Sequence, residues 1–116
     1  MSRVLFDVNV PHHVARFLTG HIVEFADKRG WRELTNGDLL TAAERAGFDV
    51  LLTADRNLRY QQNLAGRRIA IVALSTNIWG TLRTSPGLVT DAVNRARAGT
   101  YEEVTFPRRR TRGLSL

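Results

Sequence analysis

Cysteine is absent from all 116 residues. That absence excludes disulfides and thiolate metal ligands, and it fits a reducing compartment, so we expect a cytoplasmic protein. No run approaches the about 20 apolar residues of a membrane-spanning helix, and one Arg ahead of a short strand-like segment is too little for a secretory leader. No membrane partner is expected. Lysine is nearly missing as well, because Lys28 stands alone and every other cation is an arginine.

What is present is 43% hydrophobic residues with interspersed charge, the composition of a globular chain of one core. We expect a single domain over residues 1–106 and a basic, mobile tail over 107–116. The formal charge is +6, and Arg108, Arg109, Arg110 and Arg112 carry much of it, so the body is close to neutral. Arginine suits planar, bidentate contact with phosphate or carboxylate, which makes RNA or another anionic partner the natural reading of the excess.

Hydrophobic patterning gives strands over Arg3–Phe6, His21–Phe25, Phe48–Thr53, Ile69–Leu74 and Tyr101–Phe106. Helical stripes separate them. The first starts at Pro11, with Val14, Phe17 and Leu18 on one face and Gly20 at its end. A second starts at Thr35 or Asn36 and ends at Gly47, a third runs from Leu58 to Leu64, and a fourth from Ser85-Pro86 to Gly99. Strands alternating with helices argue for an α/β fold of three layers, with a central, mostly parallel sheet of four to five strands. The Ser85–Gly99 helix either completes the core or serves a homodimer.

Parallel strands deliver their carboxyl ends to one edge, which is where open α/β sheets bind ligands. Two strands here end alike: Leu5-Phe6 runs into Asp7-Val8-Asn9, and Leu51-Leu52-Thr53 into Ala54-Asp55-Arg56-Asn57. Asp38, in the first turn of a helix that follows a strand, is expected at the same edge. Capping of backbone N–H groups also accounts for any one such acid. Three together need a cation or protons, since like charges about 5 Å apart repel by roughly 3 kcal/mol per pair at an effective dielectric of 20. All-oxygen ligands point to Mg²⁺ or Mn²⁺. Ser75 and Asn77 leave the fourth strand at this edge, where they could polarise water or phosphate. Arg56, Arg59, Arg67 and Arg68 follow the acidic strand end and are candidates for holding RNA phosphates. His12, His13 and His21 read as surface or structural residues, and Trp31 and Trp79 as core or interface.

The segments Leu5–Pro11, Asp49–Leu58 and Tyr60–Leu64, with Leu74-Ser75, resemble the compact PIN-like proteins of the DUF5615 group over residues 3 to about 80. The resemblance implies a PIN-like fold, a metal-dependent ribonuclease site and often a role as the toxin of a toxin–antitoxin pair, with an antitoxin as partner. It implies Asp7, Asp38 and Asp55 as metal ligands, with Asn9 and Asn57 beside them. Two departures stand out: Val8 replaces a Glu common in the group, and Asn57 stands where other PIN nucleases often carry Asp. A catalytically weak RNA-binding or interaction module is therefore the alternative. A phospho-receiver domain shares the strand-end aspartates but needs a late Lys, and none follows Lys28.

Overall fold

The computed structural model describes residues 1–57 and 64–107. Its strands are β1 (Arg3–Phe6), β2 (Ile22–Phe25), β3 (Val50–Thr53), β4 (Ala70–Leu74) and β5 (Tyr101–Val104). They form one sheet in the order β2-β1-β3-β4-β5, and every neighbouring pair is parallel. Phe6 stands opposite Leu52, and Leu52 opposite Val72. Because side chains alternate along a strand, Val4, Phe6, Val50, Leu52, Val72 and Leu74 enter one apolar layer, while Leu5, Leu51 and Ile71 enter the other. Burying each large side chain contributes about 1.5–3 kcal/mol.

Helices close both layers. α1 (Asn36–Arg45) packs Leu39, Leu40 and Ala43 against Leu51 and Ile71. A 3-10 helix (His12–Phe17), the single turn α2 (Trp79–Leu82) and α3 (Pro86–Arg95) cover the other layer through Val14, Leu82, Val89, Ala92 and Val93. The result is the three-layer α/β arrangement that the patterning predicts. The connections β2–β3 and β4–β5 step across the sheet in the same direction but lie on opposite faces, so they have opposite hands. Only one of them can follow the strong right-handed preference of such crossovers.

Local details depart from the sequence reading. The first helix is 3-10, with Val14 N–H donating to Pro11 O at 3.1 Å and Leu18 N–H to Ala15 O at 3.1 Å, the i→i−3 pattern common in such short connecting turns. α2 is an addition, since four residues carry no periodic signal. The strands at 22, 50 and 70 begin one or two residues later than expected, α3 stops at Arg95, and β5 ends at Val104. The helix expected at Leu58–Leu64 falls largely on residues outside those described, as does most of the 107–116 tail.

The amino-terminal edge of the sheet is tied by ion pairs. Arg3 Nη1 donates to Ala46 O at 2.6 Å and its guanidinium lies 4.6 Å from the Phe48 ring centre. Gly47 turns the chain out of α1 at φ +86°, and a Cβ there would meet Arg3 Nη1 at 2.8 Å. Glu44 accepts from Arg67 Nη1 at 2.6 Å and from Arg68 N–H at 2.7 Å. Burial pushes its carboxyl upward, but the Arg68 amide, the Arg67 hydrogen bond and the Arg67 charge outweigh that and hold it below the ordinary 4.5. A depressed carboxylate stabilises the fold above its unfolded value and loses that contribution as pH falls through its folded value. Glu44→Gln is therefore expected to cost about 1–3 kcal/mol at neutral pH, with the gap to the native protein closing toward about pH 3, as read by urea unfolding at both pH values.

Candidate active site

At the opposite, carboxyl-terminal edge the sheet order reverses direction between β1 and β3, since β1 connects to β2 on one side and β3 lies on the other. Such a switch point opens a crevice between strand ends. Asp7 and Thr53 sit in it, and they are the two buried polar side chains of the described residues, at 8% and 0% exposure. Asp7 extends the ladder by donating its N–H to Leu52 O at 2.9 Å. Its Oδ1 accepts from Val8 N–H at 2.8 Å, and its Oδ2 accepts from the Thr53 hydroxyl at 2.8 Å. Thr53 Oγ1 in turn accepts from Asp55 N–H at 3.0 Å. One hydroxyl thus joins the two acidic strand ends.

Neighbouring amides fix the surroundings. Asn9 Oδ1 accepts from Ala54 N–H at 3.0 Å and pins the loop after β3 to the loop after β1. Asp55 Oδ1 accepts from Asn57 N–H at 2.9 Å, an Asx turn, so Asn57 enters through its backbone. Asp55 Oδ2 accepts from Asn36 Nδ2 at 3.2 Å, which docks the start of α1 on this edge. Ser75 Oγ accepts from Phe106 N–H at 3.0 Å and ties the ends of β4 and β5 together. Val8 is 40% exposed beside Asp7.

Asp38 does not complete a trio. Asn36 faces Asp55, and residues two apart on a helix point about 200° away from each other, so Asp38 is turned aside and accepts from Thr35 Oγ1 at 3.1 Å. Among the described residues no three His, Asp or Glu side chains stand close enough to share an ion. The expected constellation of Asp7, Asp38 and Asp55 therefore reduces to Asp7 and Asp55.

The arginines divide in the same way. Arg67 and Arg68 precede β4 and lie at the amino-terminal edge, where Glu44 engages both, so they are remote from the carboxyl edge. Proximity in sequence to Asp55 misleads because the chain returns the full length of the sheet before β4 begins. Arg59 is outside the described residues. Arg56 follows Asp55 in the loop after β3 and reaches toward β5, its Nη1 3.8 Å from Glu103 Oε2 and its carbonyl accepting from Tyr101 OH at 3.2 Å.

Two histidines have built-in partners. The exposed His12 ring stacks on Phe25 at 4.0 Å and lies 3.2 Å from Asp27 Oδ1. Burial works to raise the Asp27 carboxyl, yet the His12 charge and hydrogen bond, the Lys28 amide and Arg32 hold it below the usual carboxylate range. His21 is structural: its Nδ1 accepts from Ser2 N–H at 2.9 Å, which leaves Nε2–H to donate to Asn94 Oδ1 at 2.8 Å and joins β2 to α3.

Sequence reasoning missed Thr53 and Asn36. Thr53 was visible as the first polar residue after an apolar strand, and Asn36 as a side-chain donor at a helix start. No family model matches the chain, and no curated protein or solved structure is significantly similar to it.

Proposed function

We propose that this domain is a PIN-like ribonuclease that hydrolyses phosphodiester bonds with the help of Mg²⁺ or Mn²⁺. The observation that carries this reading is the hydrogen-bond chain from the Asp7 carboxylate through the Thr53 hydroxyl to the Asp55 backbone N–H at the switch point of the sheet. The donor set suits such an ion: it is all oxygen, and Mg²⁺ is commonly held by only one or two carboxylates while keeping several waters. Each oxygen of Asp7 and Asp55 carries a hydrogen bond, and a carboxylate has about four acceptor positions, so positions remain for a ligand. A bound ion would neutralise phosphate charge and lower the proton affinity of water.

The chain's own contribution is positioning. Asp7 is held by a buried hydroxyl and a backbone amide, and Asn9 fixes the loop that carries Asp55, so the two acids stay in place while substrate binds. Arg56 lies one residue beyond Asp55, and its loose 3.8 Å pairing with Glu103 leaves guanidinium donors for a phosphate. Cleavage of a labelled single-stranded RNA should require Mg²⁺ or Mn²⁺, stop in EDTA and return when Mn²⁺ is added in excess. Cleavage indifferent to EDTA would remove the proposal.

A second reading is a binding module without turnover. It is favoured by the turning aside of Asp38 and by Val8, an exposed apolar residue where the resembled group has Glu. RNA binding with no cleavage under any divalent ion would select it.

A further inference from the structure

Beyond Arg56 the carboxyl edge is not flat. A cleft of about 430 Å³ lies over the ends of β4 and β5, lined by Arg56, Ser75, Thr76 and Thr105. A second cleft of about 710 Å³ lies along α2 and the start of α3, lined by Arg83, Thr84 and Ser85. Ile78, Thr81 and Pro107 border both, so the two form one trough. Among the described residues each cleft has one cation, Arg83 or Arg56. Arg83 is exposed and makes no ion pair or side-chain hydrogen bond with any described residue, while Arg56 keeps only its loose contact with Glu103. Among the described residues no acidic side chain lines either cleft. At the waist Ile78 is 63% exposed, an apolar surface with hydroxyl-bearing residues around it.

We infer that this trough is the path of the substrate strand, that the strand is single-stranded RNA, and that Arg56 and Arg83 hold successive parts of its backbone while a base rests on Ile78. The inference rests on the ribonuclease reading for where the strand leads, and Arg56, which lines the trough, follows Asp55 directly in the chain. The chemistry selects the ligand. Separated arginines with hydroxyls between them match a chain of phosphates, and the exposed apolar side chain matches an unstacked base. A duplex hides its base faces inside the stack and presents a convex rod, which a concave trough beside a helix turn does not fit. The trough also gives Ser75 a use. Its oxygen is occupied as an acceptor by Phe106 N–H, but its own proton is available to a phosphate or a 2′-hydroxyl entering the cleft.

The test is fluorescence anisotropy of the full chain in EDTA, so that binding is read without cleavage, with a labelled single-stranded 12-mer RNA and the matching blunt duplex. The single strand should bind about tenfold or more tighter than the duplex. Arg83→Glu should weaken single-strand binding about tenfold and lower the slope of log affinity against log salt by about one, while Arg83→Lys keeps most of both. Ile78→Ala should weaken binding several-fold with the salt slope unchanged. Circular dichroism and melting confirm that these exposed-site variants fold. Equal affinity in the native protein and Arg83→Glu, or a duplex bound as tightly as the strand, overturns the inference. So does binding of an acidic peptide, with no RNA bound, which would give the trough to a protein segment. Failure of the ribonuclease reading shows separately, as absence of metal-dependent cleavage with strand binding and its dependence on Arg83 intact.

Discussion

Asp7→Asn is expected to lower Mn²⁺-stimulated RNA cleavage by about 10²–10³-fold or more, the scale seen when one charge-stabilising group is removed from a preorganised site. The substitution keeps shape but removes the negative charge. It also disturbs the hydrogen bonds, because an amide cannot accept from Val8 N–H and from the Thr53 hydroxyl with both of its terminal atoms. A stability cost of about 1 kcal/mol follows, small enough for the fold to survive. Asp55→Asn should behave in the same way toward cleavage. Asp38→Asn should change the rate by no more than a few-fold, since Asp38 is occupied by Thr35. Initial rates of the three variants with one labelled RNA, together with their melting points, decide the matter. An Asp38 variant as impaired as the Asp7 variant would restore the three-acid site.

Thr53→Val should produce the largest loss of stability of any single substitution at this edge. The two side chains have nearly the same shape, so packing in the fully buried strand end is preserved and the hydroxyl alone is deleted. Deletion leaves Asp7 Oδ2 without its donor and Asp55 N–H without its acceptor. Each lost partner in a water-poor site costs about 1–3 kcal/mol, so the pair should cost about 2–6 kcal/mol and lower the melting point by roughly 10 °C or more. Thr53→Ser restores the hydroxyl and should recover most of the loss. Cleavage should fall with Thr53→Val and recover with Thr53→Ser, because the hydroxyl ties the Asp7 carboxylate to the backbone that carries Asp55. A Val variant as stable as the native protein would mean that the hydroxyl does not join the strand ends.

The placement of these residues shows what the chain makes legible before folding is known. Val50-Leu51-Leu52 and Ala70–Leu74 are apolar without alternation, so they read as strands covered on both faces, and strands alternating with helices require a parallel sheet. From parallelism alone Asp7 and Asp55 come to one edge. Rotation of a helix about its axis is a different matter. α1 buries Leu39, Leu40 and Ala43, and in that orientation Asn36 meets Asp55, a contact between distant segments, while Asp38 turns away. Arg67 and Arg68 illustrate a second limit: eleven and twelve positions after Arg56 they stand at the other end of the sheet, because β4 must begin where β3 began. Arg83 went unnoticed for a third reason. It follows a four-residue helix that has no period to detect, and its relation to Arg56 depends on the path of the β4–β5 crossover.

The most direct measurement of the central claim is calorimetric titration of Mn²⁺ into the native protein and into Asp7→Asn and Asp55→Asn, with no RNA present. If the two acids joined by Thr53 form the cation site, the native protein gives a saturable binding isotherm and each variant loses it while still melting cooperatively. Equal heats in all three proteins, or no saturable binding to the native chain, would contradict the account.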